Sequence, residues 1–463
     1  MRSMTSTLVV SDAIFAELNR AARLPVETAG VLLASVVSTK SGPRLLGRRL
    51  LWVNEDAYAR READGLSIRS SGYVHALGEA ANMQAAAVWL HTHPGVGSRP
   101  VPSRHDHDVD SELIDVFRLR TGSPYYVSMV IAPTSDTLSF TGSIWSSDDT
   151  RWALDRIQVV GDRLQALSSF ERHQRSEHAM FDRNIRAFGP AMQATLDELR
   201  VGIIGCGGTG SSVAEQLARL GVRQFTLVDP DELTASNVTR LYGSTLAQVG
   251  APKVEVVGAH LRDINPSVQV DQLRSSICVQ STAESLTDCD VLFGCTDDNA
   301  GRLVLSRLAT YMMLPVIDCG VLLSADAHSR VAGIDGRVTT LVPGQACLVC
   351  RGRINLRRAA SELLTPDERK RRAEEGYAPA LGGVEPAVVS FTTAVAAAAI
   401  CELLERLIGY GPSPRPSEVL LRMHEREIST NRAEPRIGHY CHEAAGKVGL
   451  GITTPFLEQT WSQ

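Results

Sequence analysis

Two histidines with one residue between them, His91 and His93, follow the run Ala85-Ala86-Ala87-Val88-Trp89-Leu90. That run reads as a β-strand, and in a strand side chains alternate with period two, so the two imidazoles point to one face. Ser103-Arg104-His105-Asp106 comes shortly after. Two histidines and Asp106 form a three-ligand set that leaves one position of a tetrahedral zinc for water, which is the arrangement of a catalytic rather than a structural site. The chemistry implied is attack by an activated water on a polarised carbonyl.

A second group of residues is suited to phosphates. Arg200-Val201-Gly202-Ile203-Ile204 reads as a strand that runs into Gly205-Cys206-Gly207-Gly208-Thr209-Gly210, and Ser211–Gly221 reads as the helix that follows. Gly205, Gly207 and Gly210 fit G-x-G-x-x-G, with Gly208 inside the loop. Glycine lets the backbone approach a phosphate, and the helix N-terminus offers free N–H groups. Phe225–Val228 reads as the next strand, and Asp229 ends it, where an acid can bind a ribose hydroxyl. These features alone also suit an NAD dehydrogenase. The residues downstream decide against it. Asn237, Arg240 and Lys253 supply groups that hold a triphosphate, and Asp297, after the strand Val291–Gly294, supplies a hard oxygen for Mg²⁺.

The first group resembles the JAMM (JAB/MPN) metalloprotease motif, H-x-H-P-x(n)-S-x-x-D, through His91, His93, Pro94, Ser103 and Asp106. The resemblance implies hydrolysis of peptide or isopeptide bonds at the C-terminus of ubiquitin-like proteins. It also implies an upstream glutamate as general base, for which Glu27 in Glu27-Thr28-Ala29-Gly30 has the right form, and an oxyanion contact from Ser103. The spacer of eight residues between Pro94 and Ser103 is slightly long for the family, but Gly95, Gly97, Pro100 and Pro102 make it a loop that absorbs an insertion. His105, His107, Asp108 and Asp110 are neighbouring alternatives to Asp106, which alone stands in the S-x-x-D relation to Ser103.

The second group resembles the ThiF/MoeB family and the adenylation domain of ubiquitin-activating enzymes, over roughly residues 175–430. The matching positions are the loop glycines, Asp229, Asn237, Arg240, Lys253 and Asp297. Arg183, in Phe181-Asp182-Arg183-Asn184-Ile185, resembles the family's R-x-I element, in which an arginine reaches the ATP phosphates, sometimes from a partner subunit; Arg186 is the competing choice. Glu385-Pro386 followed by an Ala-rich helix through Glu405 resembles the family's late helix. Leu241 departs from the pattern, where a glutamine is expected. Cys347-Leu348-Val349-Cys350 matches half of the family's structural zinc site. The usual second C-x-x-C is missing, and Cys441 with His442 or His439 would complete the set, with His442 taken here. No cysteine is assigned as a thioester nucleophile: Cys278, Cys289, Cys295 and Cys401 sit in apolar patterns that suggest burial, and Cys319 is the least unsuitable.

The elements that must position these residues fit an α/β protein of two domains. At 463 residues a single core is not expected. Residues 1–150 are expected to form a JAB/MPN-like α/β metalloprotease domain. Residues 151–174 are expected to be a helical connector, from apolar residues at Ile157, Val160, Leu164, Leu167 and Phe170. Residues 175–463 are expected to form a Rossmann-like ThiF adenylation domain with a mostly parallel sheet. The net charge of −5 leaves no electrostatic footprint for nucleic acid. No apolar run reaches the ~18 residues of a membrane span. Nine scattered cysteines suit a reducing cytoplasm better than a disulfide framework.

The joint expectation is a homodimeric enzyme with zinc, ATP and Mg²⁺ as cofactors, as in prokaryotic ubiquitin-like conjugation systems. It would trim or deconjugate a ubiquitin-like protein and adenylate its C-terminal glycine, with a conjugating enzyme as a further partner. Alternatives are activation of a sulfur-carrier protein for thiocarboxylate formation, and a scaffold with one inactive centre.

Overall fold

The structure, a computed structural model, describes all residues except 1–4, 96, 98, 149, 170–178, 326–330, 365–386 and 462–463. The chain forms two compact units, Met1–Arg172 with Gly449–Ile452, and His173–Val448 with Thr453–Gln463.

The first unit runs β1 (Ser6–Ser11), α1 (Asp12–Ala22), β2 (Ala29–Thr39), β3 (Gly42–Trp52), β4 (Tyr58–Arg61), β5 (Leu66–Ile68), α2 (Ser71–Asn82), β6 (Ala86–Thr92), α3 (Arg104–Thr121), β7 (Tyr125–Pro133), β8 (Leu138–Ser146), β9 (Arg151–Val160) and β10 (Leu164–Ser168). Its main sheet has the order β1-β3-β2-β6-β7-β8-β9-β10, and β1 also pairs with β9. Period-two alternation divides the apolar residues between two cores. Leu32, Val88, Leu90, Val127 and Met129 pack with Ile14, Phe15 and Leu18 of α1. Val31, Leu33, Ala87, Trp89 and Tyr126 pack on the other face with Leu77 of α2 and Leu113 and Phe117 of α3. His91 shares the face of Trp89, and therefore that of α3.

The expected helical connector over 151–174 is corrected by β9 and β10, which form an antiparallel hairpin in this sheet. The register explains the misreading. Val160 opposes Leu164 and Ile157 opposes Leu167 across the turn at Gly161-Asp162-Arg163, so cross-strand pairs reproduce a helical spacing. The β-branched run Ile157, Val159 and Val160 and the Gly161-Asp162 turn were the signals for strands. Phe170 and Gln174, the far end of that expectation, lie outside the described residues.

The second unit begins with α4 (Asp182–Phe188) and α5 (Pro190–Glu198). It continues through β11 (Arg200–Ile204), α6 (Gly208–Leu220), β12 (Gln224–Val228), α7 (Lys253–Ile264), β13 (Gln269–Leu273), α8 (Gln280–Ser285), β14 (Val291–Gly294), α9 (Asn299–Tyr311), β15 (Val316–Ala325) and β16 (Val331–Leu341). It ends with α10 (Leu356–Glu362), α11 (Val389–Ile408), β17 (Glu418–Arg422) and β18 (Glu427–Asn431). The sheet order is β13-β12-β11-β14-β15-β16-β17-β18. The strands from β13 to β15 are parallel and the rest are joined antiparallel. The chain leaves β11 in one direction along the sheet and returns to its other side at β14. The crevice beyond the carboxyl ends of these two strands is where an open α/β sheet binds its ligand. α11 is the late helix expected from the sequence; Glu385 and Pro386 before it lie outside the described residues.

Candidate functional sites

The crevice of the second unit is built by close approach. Gly205 follows β11 with φ +93°, a conformation that L side chains rarely adopt, and a Cβ there would lie 2.6 Å from the Cys295 carbonyl oxygen. A Cβ on Gly210 would lie 1.8 Å from the Gly205 carbonyl oxygen, so only glycine lets the helix start this close to the strand. Gly207 faces open space and precedes α6, whose first-turn N–H groups lack helical partners. Arg240 lies over this turn, since a Cβ on Gly208 would be 3.3 Å from its Cγ and Cδ.

Asp229, at the end of β12, is buried and turned to the loop. Its Oδ2 accepts from the Cys206 N–H at 2.7 Å and its Oδ1 from the Asp231 N–H at 2.9 Å. Burial pushes its carboxyl up, and Lys253 counters this. The Lys253 ammonium lies 2.7 Å from Asp231 and 3.8 Å from Asp229. Asn237 accepts from the Thr234 N–H through Oδ1 and holds a 3₁₀ turn, whose carbonyl then receives the Arg240 N–H at 2.9 Å. On the β14 side, Asp298 caps α9 through the Gly301 N–H, and Asp297 is exposed beside the Thr296 backbone that abuts Gly205. The loop glycines, Asp229, Asn237, Arg240, Lys253 and Asp297 therefore converge. Anionic phosphates and a hard cation fit this set: free helix N–H groups, a guanidinium and an ammonium on one side, an exposed carboxylate on the other.

Arg183 does not join them. It is exposed on α4, and its neighbour Asn184 donates to the Arg219 carbonyl at the far end of α6. A helix of 13 residues places that end about 20 Å from the loop. Arg186, the competing choice, pairs with Asp182 at 3.0 Å.

In the first unit, His91 Nε2 lies 3.2 Å from His93 Nε2 and 3.2 Å from Asp106 Oδ1, and His93 Nε2 lies 3.7 Å from Asp106 Oδ2. Donors on a tetrahedral zinc are about 3.3 Å apart, so these three atoms fit that ion. Burial opposes ionisation of Asp106, but His91 and Ser103 hold its carboxyl well below the usual carboxylate range. Burial lowers His93. Ser103 is the N-cap of α3. Its Oγ accepts from the Asp106 N–H at 3.2 Å, and its own N–H donates to Asp106 Oδ2 at 2.6 Å. This reciprocal box holds Ser103 against the Asp106 carboxylate and so helps to position it.

Glu27 precedes β2, whose Ala29 registers with His91. Its N–H donates to the Glu62 carbonyl at 2.8 Å and its carbonyl accepts from Arg61 at 3.1 Å. Burial pushes its carboxyl up, with His91 opposing, which suits a general base.

A second metal-type cluster gathers Cys347, Cys350, His439 and Cys441. His439 Nδ1 lies 3.6 Å from Cys347 Sγ and 3.2 Å from Cys441 Sγ, and Cys350 Sγ lies 3.6 Å from Cys441 Sγ. Thiolate donors on zinc are about 3.8 Å apart, so the four atoms fit a closed structural site. The fourth member of the cluster is His439, where His442 was expected. The chain turns here, His439 N–H bonding the Arg436 carbonyl and His442 N–H the His439 carbonyl, which sets the His439 imidazole against the thiols, whereas His442 accepts from the Ala444 N–H. Hydrogen bonding from Cys441 pulls the Cys347 thiol down to about 5 against burial.

Of the other thiols, Cys206, Cys278, Cys289 and Cys295 are poor nucleophiles. Burial pushes Cys278 and Cys289 up to about 12, and pushes Cys206 up as well. Contact with Cys319 and then burial raise Cys295. Cys401 departs from expectation, being exposed on α11.

A family model described as the ThiF family matches residues 181–441, more than half of the chain. The chain belongs to the ThiF family. It is 28% identical over 185 residues to the SAMP-activating enzyme E1 of Haloferax volcanii, covering 40% of this chain and 63% of that one. It is 43% identical over 139 residues to the tRNA threonylcarbamoyladenosine dehydratase of Bacillus subtilis, covering 30% and 54%. It is 28% identical over 172 residues to the molybdopterin-synthase adenylyltransferase of Escherichia coli, covering 37% and 65%. The matches thus span between about half and just under two thirds of these relatives. The crystal structure of E. coli MccB with ATP is similar with a TM-score of 0.45 at 17% identity, covering 57% of this chain and 75% of that one. The family match starts at residue 181, after the His91, His93 and Asp106 cluster. No helix among the described residues is long and apolar enough to cross a membrane.

Proposed function

We propose that the second unit adenylates the C-terminal carboxylate of a ubiquitin-like or sulfur-carrier protein, and that the first unit hydrolyses a peptide or isopeptide bond at the tail of the same class of protein. The observation that carries the adenylation half is the convergence of the Gly205–Gly210 loop, Arg240, Lys253 and Asp297 at one crevice. Relatives named as a SAMP-activating enzyme and as adenylyltransferases support it.

In this reading a carboxylate oxygen of the substrate attacks the α-phosphorus of ATP, and pyrophosphate leaves. Mg²⁺, when held by Asp297, supplies charge neutralisation. The α6 N-terminus and Arg240 bind the phosphates, and Lys253 moves from Asp231 onto the oxygens that gain charge. Rate comes from alignment of carboxylate and phosphate rather than from a base of unusual pKa.

The hydrolytic half rests on the three donor atoms of His91, His93 and Asp106 with Glu27 beside them. Zinc, when bound there, supplies Lewis acidity that lowers the pKa of a water. Glu27 takes that water's proton and passes it to the leaving amine, while Ser103 keeps Asp106 in place.

The test uses the whole chain. ATP–pyrophosphate exchange is expected only with a protein ending in a free C-terminal glycine, and is lost in Asp297→Ala and Lys253→Ala. NAD binding without exchange would overturn the adenylation half. A C-terminally extended ubiquitin-like protein is expected to be trimmed by wild type and not by Glu27→Gln. Trimming that persists in Glu27→Gln would overturn the hydrolytic half, and tail binding without turnover would favour the scaffold.

A further inference from the structure

Helix α3 carries one acidic residue among its buried positions. Its buried positions are Asp110, Leu113, Phe117 and Thr121. Asp110 is 8% exposed. Tyr126 and Ser128 of β7 donate their hydroxyl protons to its carboxylate at 2.7 and 3.0 Å. Both partners lie on the α3 face, because β6 and β7 register Trp89 with Ser128 and His91 with Val130.

An aliphatic residue would fill the same space without the cost of burying a carboxyl group. What an aliphatic residue does not supply is direction. Apolar contact is nearly indifferent to a small slide of one element over another, whereas two hydrogen bonds to fixed hydroxyls are not. One turn before Asp110, on the same side of the helix, stands Asp106. A slide of one residue moves a helix by about 1.5 Å along its axis, enough to break a donor set held at ligand distance. The Ser103 box cannot prevent such a slide, since it lies within the same helix. Arg118 also ties α3 to the sheet, through the Ser146 carbonyl at 2.6 Å, but about three turns beyond Asp106.

We propose that Asp110 is a positioning residue: its bonds to Tyr126 and Ser128 fix the register of α3 on β7 and so keep Asp106 within reach of His91 and His93. This rests on the reading of those three residues as a zinc site.

The test is Co²⁺ titration of the full chain after the cysteine cluster has been filled with zinc. A His-His-Asp site gives d–d absorption without the thiolate charge-transfer bands of a cysteine site. Asp110→Leu, and separately the double variant Tyr126→Phe with Ser128→Ala, are expected to weaken Co²⁺ binding roughly 10- to 100-fold, while Asp110→Asn stays within about threefold of wild type. If Asp110→Leu does not fold, the double variant, which keeps the core volume, decides. Wild-type affinity in the double variant overturns the proposal, and so does a lowered melting temperature with unchanged affinity, the signature of a purely structural role. Wild-type protein that takes up no Co²⁺ at this set overturns the zinc-site reading itself, and this proposal with it.

Discussion

Cys206 donates its backbone N–H to Asp229 Oδ2 at 2.7 Å, so the glycine loop of one strand is held by the acid that ends the next. The same carboxylate takes the Asp231 N–H, and Asp231 in turn holds Lys253. Loop, acid and ammonium are thus connected before any nucleotide arrives.

Asp229→Ala is therefore expected to damage both stability and nucleotide binding. It leaves the buried N–H of Cys206 without an acceptor, at a cost of about 1–3 kcal/mol. Asp229→Asn keeps one acceptor oxygen and should fold nearly normally while the KM for ATP rises in pyrophosphate exchange. Equal loss of thermal stability in both variants would show that the charge, rather than the acceptor, holds the loop.

The cysteine cluster makes a discriminating metal prediction. His439→Ala and Cys441→Ser should each lower the zinc content by about one ion per chain, because a closed structural site needs all four ligands. His442→Ala should leave the content unchanged. Zinc content measured on purified protein checks this, and loss in His442→Ala with retention in His439→Ala would reverse the assignment.

How much of this was legible in the sequence follows from how local each signal is. The H-x-H pair and the glycine loop depend on periods of two residues and on single tight turns, so Trp89, His91, Gly205 and Gly210 lie where their spacing implies. Asp297 follows its strand for the same reason. The hairpin of β9 and β10 was lost because Ile157, Val160, Leu164 and Leu167 satisfy a helical period while actually pairing across a turn. His439 was an open alternative because both histidines stand within two residues of Cys441, and only the turns that begin at Arg436 and His439 decide which imidazole meets the thiols. Asp231 and Asp110 were beyond local reading. Their roles depend on Lys253 and on Tyr126 and Ser128, which only the folded sheet brings near.

Acid stability has an identifiable source in the second unit. Glu418 is buried on β17 and accepts from Arg353 at 2.7 and 3.1 Å, from Asn431 at 2.7 Å and from Thr339 at 3.0 Å. Burial alone would raise its carboxyl, but these donors hold it at about 2. An unfolded glutamate titrates near 4.3, so the folded pKa is depressed. The stabilisation is fully present above the unfolded value and is lost as pH falls through that range toward about 2. It is on the order of 2 kcal/mol at neutral pH, with allowance for the partly exposed Arg353. Thermal denaturation of wild type and Glu418→Gln should differ near neutrality and converge in strong acid. A gap independent of pH would refute the linkage.

Arg183 gives the prediction that bears on assembly. It sits beside the C-terminal end of α6, about 20 Å along that helix from the glycine loop of its own chain. An arginine so placed serves an ATP phosphate only across a subunit interface, and a two-fold dimer supplies each site with the other chain's arginine. Arg183→Ala and Asp297→Ala should each lack exchange activity as pure proteins. Mixed and re-equilibrated in equal amounts, they form heterodimers in half of the population. In each heterodimer one site has an intact Asp297 from one chain and an intact Arg183 from the other. About one quarter of wild-type activity should therefore return, half of the dimers with half of their sites. No recovery after demonstrated subunit exchange, or a fully active monomer by light scattering, would rule out an arginine acting in trans. Full activity of Arg183→Ala alone would remove the residue from the site altogether.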